Sequence, residues 1–203
     1  MNIGIVGGSF DPIHLGHLVI GEEAYRSLEL ARVIFVPTHI QPHKRNQHHA
    51  DAKHRLAMVR AAVRGCPYFE ASDMELRREG VSYTVDTLKE LKRSVGARAR
   101  LFFIVGTDTL PELPTWKNVR EVASLCTFAV AARPGKGLSR IDALAKVIGR
   151  DAVRRMRRAV LQIPQIGISS TDIRKRVRSG RSVRYLVPKA VAAYIQRHRL
   201  YRG

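Results

Sequence analysis

The chain has 203 residues, 45% of them apolar, with 36 Lys and Arg against 17 Asp and Glu for a formal net charge of +19. That length suits one domain, the apolar share supports a sizeable core and excludes wholesale disorder, and two cysteines are too few for a disulfide framework or a four-cysteine zinc site. Residues 1–132 carry 17 basic and 14 acidic groups but residues 133–203 carry 19 and 3, an excess that implies an acidic partner such as nucleic acid, phosphorylated small molecules or an anionic surface.

The chain opens on Asn2-Ile3-Gly4-Ile5-Val6, a short strand that turns at Gly7-Gly8. It lacks the basic and apolar regions of a secretory signal, and no apolar run approaches the ~20 residues needed to cross a bilayer. A soluble cytoplasmic protein with two reduced thiols is expected. A helical pattern at about 15–28 follows, then an apolar strand at 33–36 and a polar loop from Thr38 to Ala50 that holds four of the eight histidines. Helices at about 51–64 and 84–95, strands at 101–105 and 127–131, and a shorter helix near 118–125 come next. Strands apolar on both faces and separated by helices predict a Rossmann-like α/β fold, a doubly wound parallel sheet with helices on both faces. Ligands in such sheets sit beyond the carboxyl ends of the strands, which directs attention to the loops beginning at Gly7, Pro37, Gly106 and Arg133. The basic third is read as a helix at about 139–157, an apolar segment at 159–163, a helix opened by Ile168-Ser169-Ser170-Thr171 and stopped near Gly180, and a last helix after Pro188. Residues 1–203 are expected to form one domain whose C-terminal helical part covers about 169–203.

The segment Gly7-Gly8-Ser9-Phe10-Asp11-Pro12-Ile13-His14-Leu15-Gly16-His17 leaves a strand and enters a helix. Glycines there let the backbone approach a ligand, and helix N-terminal amides attract phosphate. The segment matches neither the Walker A spacing nor Gly-x-Gly-x-x-Gly. His14 and His17, three residues apart, share a helix face that Gly16 leaves open to a bulky ligand, and imidazoles can hydrogen-bond phosphate and offset charge on a phosphoryl group. A zinc pair and a purely structural role are the alternatives. Far along the chain, Ser169, Ser170 and Thr171 stand at a helix start with Arg174 one turn in from Ser170, which reads as a phosphate cradle or as plain N-capping with a surface arginine.

Gly-Ser-Phe-Asp-Pro-x-His-x-Gly-His and Ile-Ser-Ser-Thr-x-Ile-Arg resemble the two signatures of the nucleotidyltransferase superfamily. That resemblance implies ATP phosphates held between His14 and His17 on one side and Ser169–Arg174 on the other. Three middle segments narrow it: Pro42-His43-Lys44, Gly80-Val81-Ser82-Tyr83-Thr84, and Gly106-Thr107-Asp108 with Leu113-Pro114-Thr115-Trp116 beyond. From residue chemistry alone, the helix start at Tyr83–Thr84 would favour a small carboxylate. Trp116 could stack on a planar ring or pack in the core, and Lys44 could meet phosphate or solvent.

In order, and with the closing Val187-Pro188, Tyr194-Ile195 and Leu200-Tyr201, these segments resemble the bacterial nicotinate-nucleotide adenylyltransferase family from the first strand to the end. Ser9 stands where that family commonly has Thr, and the hydroxyl is kept. The resemblance implies adenylyl transfer from ATP to nicotinate mononucleotide. ATP would meet Gly7, Gly8, Ser9, Phe10, His14, Gly16, His17, Gly106, Asp108, Ser169, Ser170, Thr171 and Arg174. Lys44, Tyr83, Thr84 and Trp116 would meet the acceptor, and His14, His17, Lys44 and Arg174 would carry the catalysis. The implied partners are ATP and nicotinate mononucleotide, with Mg²⁺ carried largely by ATP oxygens and no protein metal site. No membrane is implied, and a homo-oligomer is compatible with the sequence. One competing reading is phosphopantetheine adenylyltransferase, whose family usually has Thr at the first histidine and lacks the Trp116 neighbourhood. The other is a basic nucleic-acid binder using Arg154-Arg155-Met156-Arg157-Arg158. Few aromatics interleave with that charge, so nucleic-acid binding is not expected as the main function.

Overall fold

The computed structural model describes residues 1–40, 50–78, 80–132 and 140–202. Lys44 and the loop from Arg133, both singled out above, lie outside them. In chain order the elements are β1 (Asn2–Gly8), α1 (Leu15–Ser27), β2 (Arg32–Pro37), α2 (Ala52–Val63), β3 (Phe69–Ala71), α3 (Met74–Arg77), α4 (Thr84–Val95), β4 (Arg100–Gly106), α5 (Val119–Leu125) and β5 (Thr127–Ala132). The basic third supplies α6 (Arg140–Ala143), α7 (Ala145–Ile148), α8 (Arg150–Arg158), β6 (Val160–Gln162), α9 (Ser170–Arg178) and α10 (Lys189–Arg197).

The strands form one parallel sheet in the order β3-β2-β1-β4-β5-β6. The chain winds outward from β1 to one edge, returns, and winds outward to the other. The order therefore reverses between β1 and β4, the place where open parallel sheets leave a crevice beyond their carboxyl ends.

Side chains alternate across the sheet as the two-residue strand period requires. Ile3, Ile5, Ile34, Val36, Leu101, Phe103, Val105, Phe128 and Val130 face one layer with α4, α5, α6, α7 and α8. Val6, Val33, Phe35, Phe102, Ile104, Ala129 and Ala131 face the other with α1, α2, α9 and α10. Both faces are thus covered, which is why the strands read as apolar throughout. Leu88 and Phe35 are wholly buried, and truncating either to Ala would cost about 2–5 kcal/mol.

Three expectations needed amendment. β1 does not turn at Gly7: it runs through Gly8, with Gly7 and Gly8 paired to Val36 and Pro37. β3, three residues long, gives too short an apolar run to register as a strand. The helix expected at 139–157 is three shorter ones, because Gly149 at φ +88° ends α7 and opens α8. At α9 the expected stop is met. Gly180 at φ +69° donates its N–H to Val177 O, and Arg181 N–H reaches Arg176 O, closing the last carbonyls.

Several arginines of the basic third have partners within the molecule. Arg154 pairs with Asp151, Arg157 with Asp142, and Arg155 donates to Ala123 O. Cys66 and Cys126 are unpaired thiols. Among the described residues no helix is long and apolar enough to cross a membrane.

Candidate active site at the carboxyl edge of the sheet

β1 delivers its glycines to the point where the strand order reverses. A Cβ on Gly7 would stand 3.2 Å from the Phe103 ring on β4, so the absent side chain lets that ring lie against the strand end. The chain then bends through Phe10 at φ +48° and a cis Asp11–Pro12 bond before α1 begins. The Phe10 ring is not offered to a ligand. It is 1% exposed, and it meets the His17 ring edge-on at 5.0 Å and the Phe35 ring at 6.0 Å.

His14 caps α1, and its backbone N–H donates to Nδ1 of His17 (3.2 Å). That bond makes Nδ1 of a neutral His17 an acceptor and leaves its proton on Nε2. The two imidazoles stack at 3.7 Å and 23°. Gly16 has a different task from the one its position suggested. A Cβ there would lie 3.1 Å from Nδ1 of His14, so the glycine makes room for the first imidazole. Nδ1 of His14 is buried without a hydrogen-bond partner. Burial pulls the His14 pKa down from 6.5 to about 4. Burial, then the neighbouring His14, holds His17 well below its ordinary value, although part of His17 still reaches solvent. Both rings are therefore neutral at pH 7. The α1 N-terminus is partly used by the protein itself, since the Leu15 amide donates to Leu186 O.

α9 meets this loop directly. Ser169 is its N-cap, accepting from the Asp172 amide at 3.1 Å. Ser170 Oγ donates to Pro12 O at 2.9 Å, and Arg174 Nη1 donates to Asp11 O at 2.7 Å and stands 3.8 Å from the Asp11 carboxylate. Thr171 is exposed, with Arg174 Nη2 at 3.4 Å from its hydroxyl. The two segments singled out at opposite ends of the sequence are thus joined, and Ser169, Ser170 and Arg174 already have protein partners.

The Tyr83–Thr84 turn opens α4 and is fastened to the end of β2. The His39 amide donates to Ser82 Oγ, and the Ser82 amide to Ile40 O. Beneath it the Thr87 hydroxyl donates to buried Glu75 at 2.6 Å, and Arg78 donates to Thr87 at 2.5 Å. Burial raises the Glu75 pKa. Trp116 is half-buried, edge-on to Phe103 at 5.8 Å and to Phe128 at 6.2 Å, while Lys117 Nζ stands 4.2 Å from the centre of the Tyr83 ring. Phe103 therefore touches both sides, Gly7 through its tip and Trp116 through its edge. Gly106 ends β4, and exposed Asp108 follows in the 3-10 turn Thr107–Thr109 on the same edge of the sheet.

Three residues to which the sequence reading gave no site role, Asp11, Arg55 and Tyr201, hold this region together. Asp11, 0% exposed, accepts from the Tyr201 hydroxyl at 2.6 Å and from the Ala50 amide at 3.3 Å. Arg55, 3% exposed, donates to the carbonyls of Ser9, Thr38, His39 and Ala50 at 2.7–3.3 Å. A signal for Arg55 existed: it lies three and four residues before Met58 and Val59, on the buried stripe of α2, where a charge has to earn its place through hydrogen bonds. Among the described residues no group of three or more His, Cys, Asp or Glu side chains could hold a metal ion.

Comparison with known proteins agrees with this geometry. The sequence model of the cytidylyltransferase-like family matches residues 5–176. A relative from Thermoanaerobacter sp. (strain X514), named "probable nicotinate-nucleotide adenylyltransferase", is 42% identical over 206 residues, covering 100% of this chain and 95% of its own. One of the same name from Moorella thermoacetica is 43% identical over 200 residues, covering 98% and 91%. The solved structure of Plasmodium falciparum nicotinic acid mononucleotide adenylyltransferase complexed with NaAD shares the fold, with TM-score 0.76 at 18% identity over 98% of this chain and 97% of that one. A chain matched in this way over nearly its whole length belongs to the nicotinate-nucleotide adenylyltransferase family of cytidylyltransferase-like nucleotidyltransferases.

Proposed function

We propose that the carboxyl edge between β1 and β4 transfers the adenylyl group of ATP to nicotinate mononucleotide, giving nicotinate adenine dinucleotide and pyrophosphate in cytoplasmic NAD biosynthesis. The observation that carries the reading is the contact of α9 with the β1–α1 bend, Ser170 to Pro12 and Arg174 to Asp11. It sets a cation and a pair of imidazoles on one short stretch of surface.

The acceptor's 5′-phosphate is already ionised at neutral pH, so no protein nucleophile is needed. One of its oxygens attacks the α-phosphorus in line. The new P–O bond forms as the bond from that phosphorus to the bridging oxygen breaks, and the electron pair leaves with pyrophosphate. The protein's part is positioning and charge stabilisation. His17, with its proton on Nε2, donates a neutral hydrogen bond to an ATP phosphate oxygen. His14 supports it by stacking, and its unpartnered Nδ1 gains a partner when ligand fills the site. Phe10 backs His17 and fixes its orientation. Gly7, Gly8 and Ser9 let the triphosphate approach the backbone, with Gly16 acting through His14. Arg174, anchored at one nitrogen, offers charge to the phosphates beside Ser169, Ser170 and Thr171. Gly106 and Asp108 meet the ribose, and Lys44 meets phosphate. Mg²⁺ carried by ATP would supply charge neutralisation at the phosphates.

On the acceptor side Trp116 stacks on the pyridine ring, with Tyr83 beside it, and the first amides of α4 at Tyr83–Thr84 take the carboxylate. The test is pyrophosphate release with ATP and, in parallel, nicotinate mononucleotide, its amide and phosphopantetheine. Nicotinate mononucleotide should be used far better than the other two. Equal kcat/KM for acid and amide would remove the assignment of the α4 N-terminus, and preference for phosphopantetheine would overturn the substrate.

A further inference from the structure

We propose that Tyr201 is a positioning residue of the adenylyl-transfer site, acting through Asp11 on Arg174; the proposal rests on the function just given. Asp11 lies in the bend between β1 and α1 with no exposed surface. A carboxylate taken out of water in this way is tolerated only with several partners. Oδ1 accepts the Tyr201 hydroxyl at 2.6 Å and the Ala50 amide at 3.3 Å, and Oδ2 faces Arg174 Nη1 at 3.8 Å. The same Nη1 donates to the Asp11 carbonyl at 2.7 Å, so the guanidinium is held at the backbone while standing off from the carboxylate.

The Tyr201 hydroxyl explains that stand-off. A short hydrogen bond to Oδ1 spreads the negative charge onto a second partner and leaves less pull on the guanidinium. Burial and the Asp11 charge hold the phenol protonated far above neutral pH, so it stays a donor. The backbone points the same way. Tyr201 sits at φ +64°, in the left-handed region that a tyrosine adopts only where its surroundings require it, and Arg199 just before it is at φ +50°. Leu200 and Tyr201 pack against the layer that holds α2, α9 and α10, and the Leu200 amide donates to Ile195 O. The tail is therefore set on the α10 end and aimed 190 residues back along the chain.

Without the hydroxyl, Asp11 loses its 2.6 Å donor and more of its charge falls on its remaining partners, Arg174 among them. A guanidinium closed onto Asp11 competes with ATP phosphate. In Tyr201→Phe the KM for ATP should rise about tenfold, the scale for one charge-assisted hydrogen bond, with kcat and the KM for nicotinate mononucleotide changed much less. The deciding measurement is a double-mutant cycle with Arg174→Ala. If Tyr201 acts through Arg174, the double variant is no worse for ATP than Arg174→Ala alone, within about twofold. Effects that multiply, or an unchanged ATP KM in Tyr201→Phe, overturn the proposal. Should Tyr201→Phe not fold, Asp11→Asn, which removes the charge but keeps an oxygen for the hydroxyl, runs the same cycle, and multiplied effects again count against it. ATP affinity measured by calorimetry on the same variants separates the two readings. A wild-type protein that binds ATP but makes no pyrophosphate fails the proposed reaction, while the affinities still decide the role of Tyr201.

Discussion

Around Asp11 the site is held by charged and hydrogen-bonded groups withdrawn from water, with Arg55 alone gripping four carbonyls. Around Trp116 it is held by rings, Phe103 and Phe128 edge-on beneath the indole and Lys117 over Tyr83. The contrast matches the two tasks. Phosphoryl transfer needs donors fixed in direction, and hydrogen bonds to buried partners fix direction. A flat aromatic ligand needs a face, and rings packed edge-on supply one that tolerates small shifts. The polar side should therefore control rate and stability, and the aromatic side acceptor binding.

That division can be broken at four places. His17→Ala removes the neutral donor and should lower kcat by about 10²-fold or more, as measured by pyrophosphate release, with little change in the KM for nicotinate mononucleotide. A near-normal rate in the folded variant would remove His17 from the reaction. Arg55→Met leaves the carbonyls of Ser9, Thr38, His39 and Ala50 without their donor and should cost about 2–3 kcal/mol in urea unfolding. A loss within error would mean that water replaces the guanidinium at no cost.

The third test uses pH. His14 binds its proton at about 4 in the folded chain and at about 6.5 when unfolded. Below pH 6.5 the unfolded chain takes up more protons, so the stability is full above pH 6.5 and is lost as pH falls toward 4. The loss attributable to this group by pH 4 is about 3 kcal/mol. Unfolding midpoints followed from pH 7 to 4 should fall less steeply in His14→Gln, and parallel curves would refute the burial argument. The mildest change is on the aromatic side. Trp116→Ala should raise the KM for nicotinate mononucleotide about tenfold while leaving that for ATP within twofold. Equal effects on both substrates would erase the contrast between the two sides.

The elements most legible in the sequence were those whose pattern is local. The bounds of α4 and the strands β2, β4 and β5 follow from apolar periodicity, and both segments proposed to meet phosphate are contiguous motifs. β3 escaped because three residues cannot display alternation. The break between α7 and α8 escaped because a single glycine leaves the helical pattern of 139–157 intact, whereas Gly149 at φ +88° ends one helix and begins another. In the site, the residues proposed to face ligand stood in recognisable strings, but the contacts that support them did not. Arg55 reaches the Ser9 carbonyl across 46 residues and Tyr201 reaches Asp11 across 190, and no local rule pairs residues so far apart. The one-sided charge was only partly informative. Several α8 arginines are spent on neighbours such as Asp142, Asp151 and Ala123 O, so total charge overstated what is left for a ligand.

The bond from Tyr201 to Asp11 also sets a timetable. The strands β1, β2, β4 and β5 can pair as soon as residues up to 132 have left the ribosome. The contacts of α9 and of Tyr201 with the bend between β1 and α1 span 158, 163 and 190 residues. Contacts this distant close late, after shorter-range pairing has already reduced the entropy of joining them. A chain cut just before Tyr201 should therefore keep its sheet while losing the 2.6 Å hydrogen bond to Asp11.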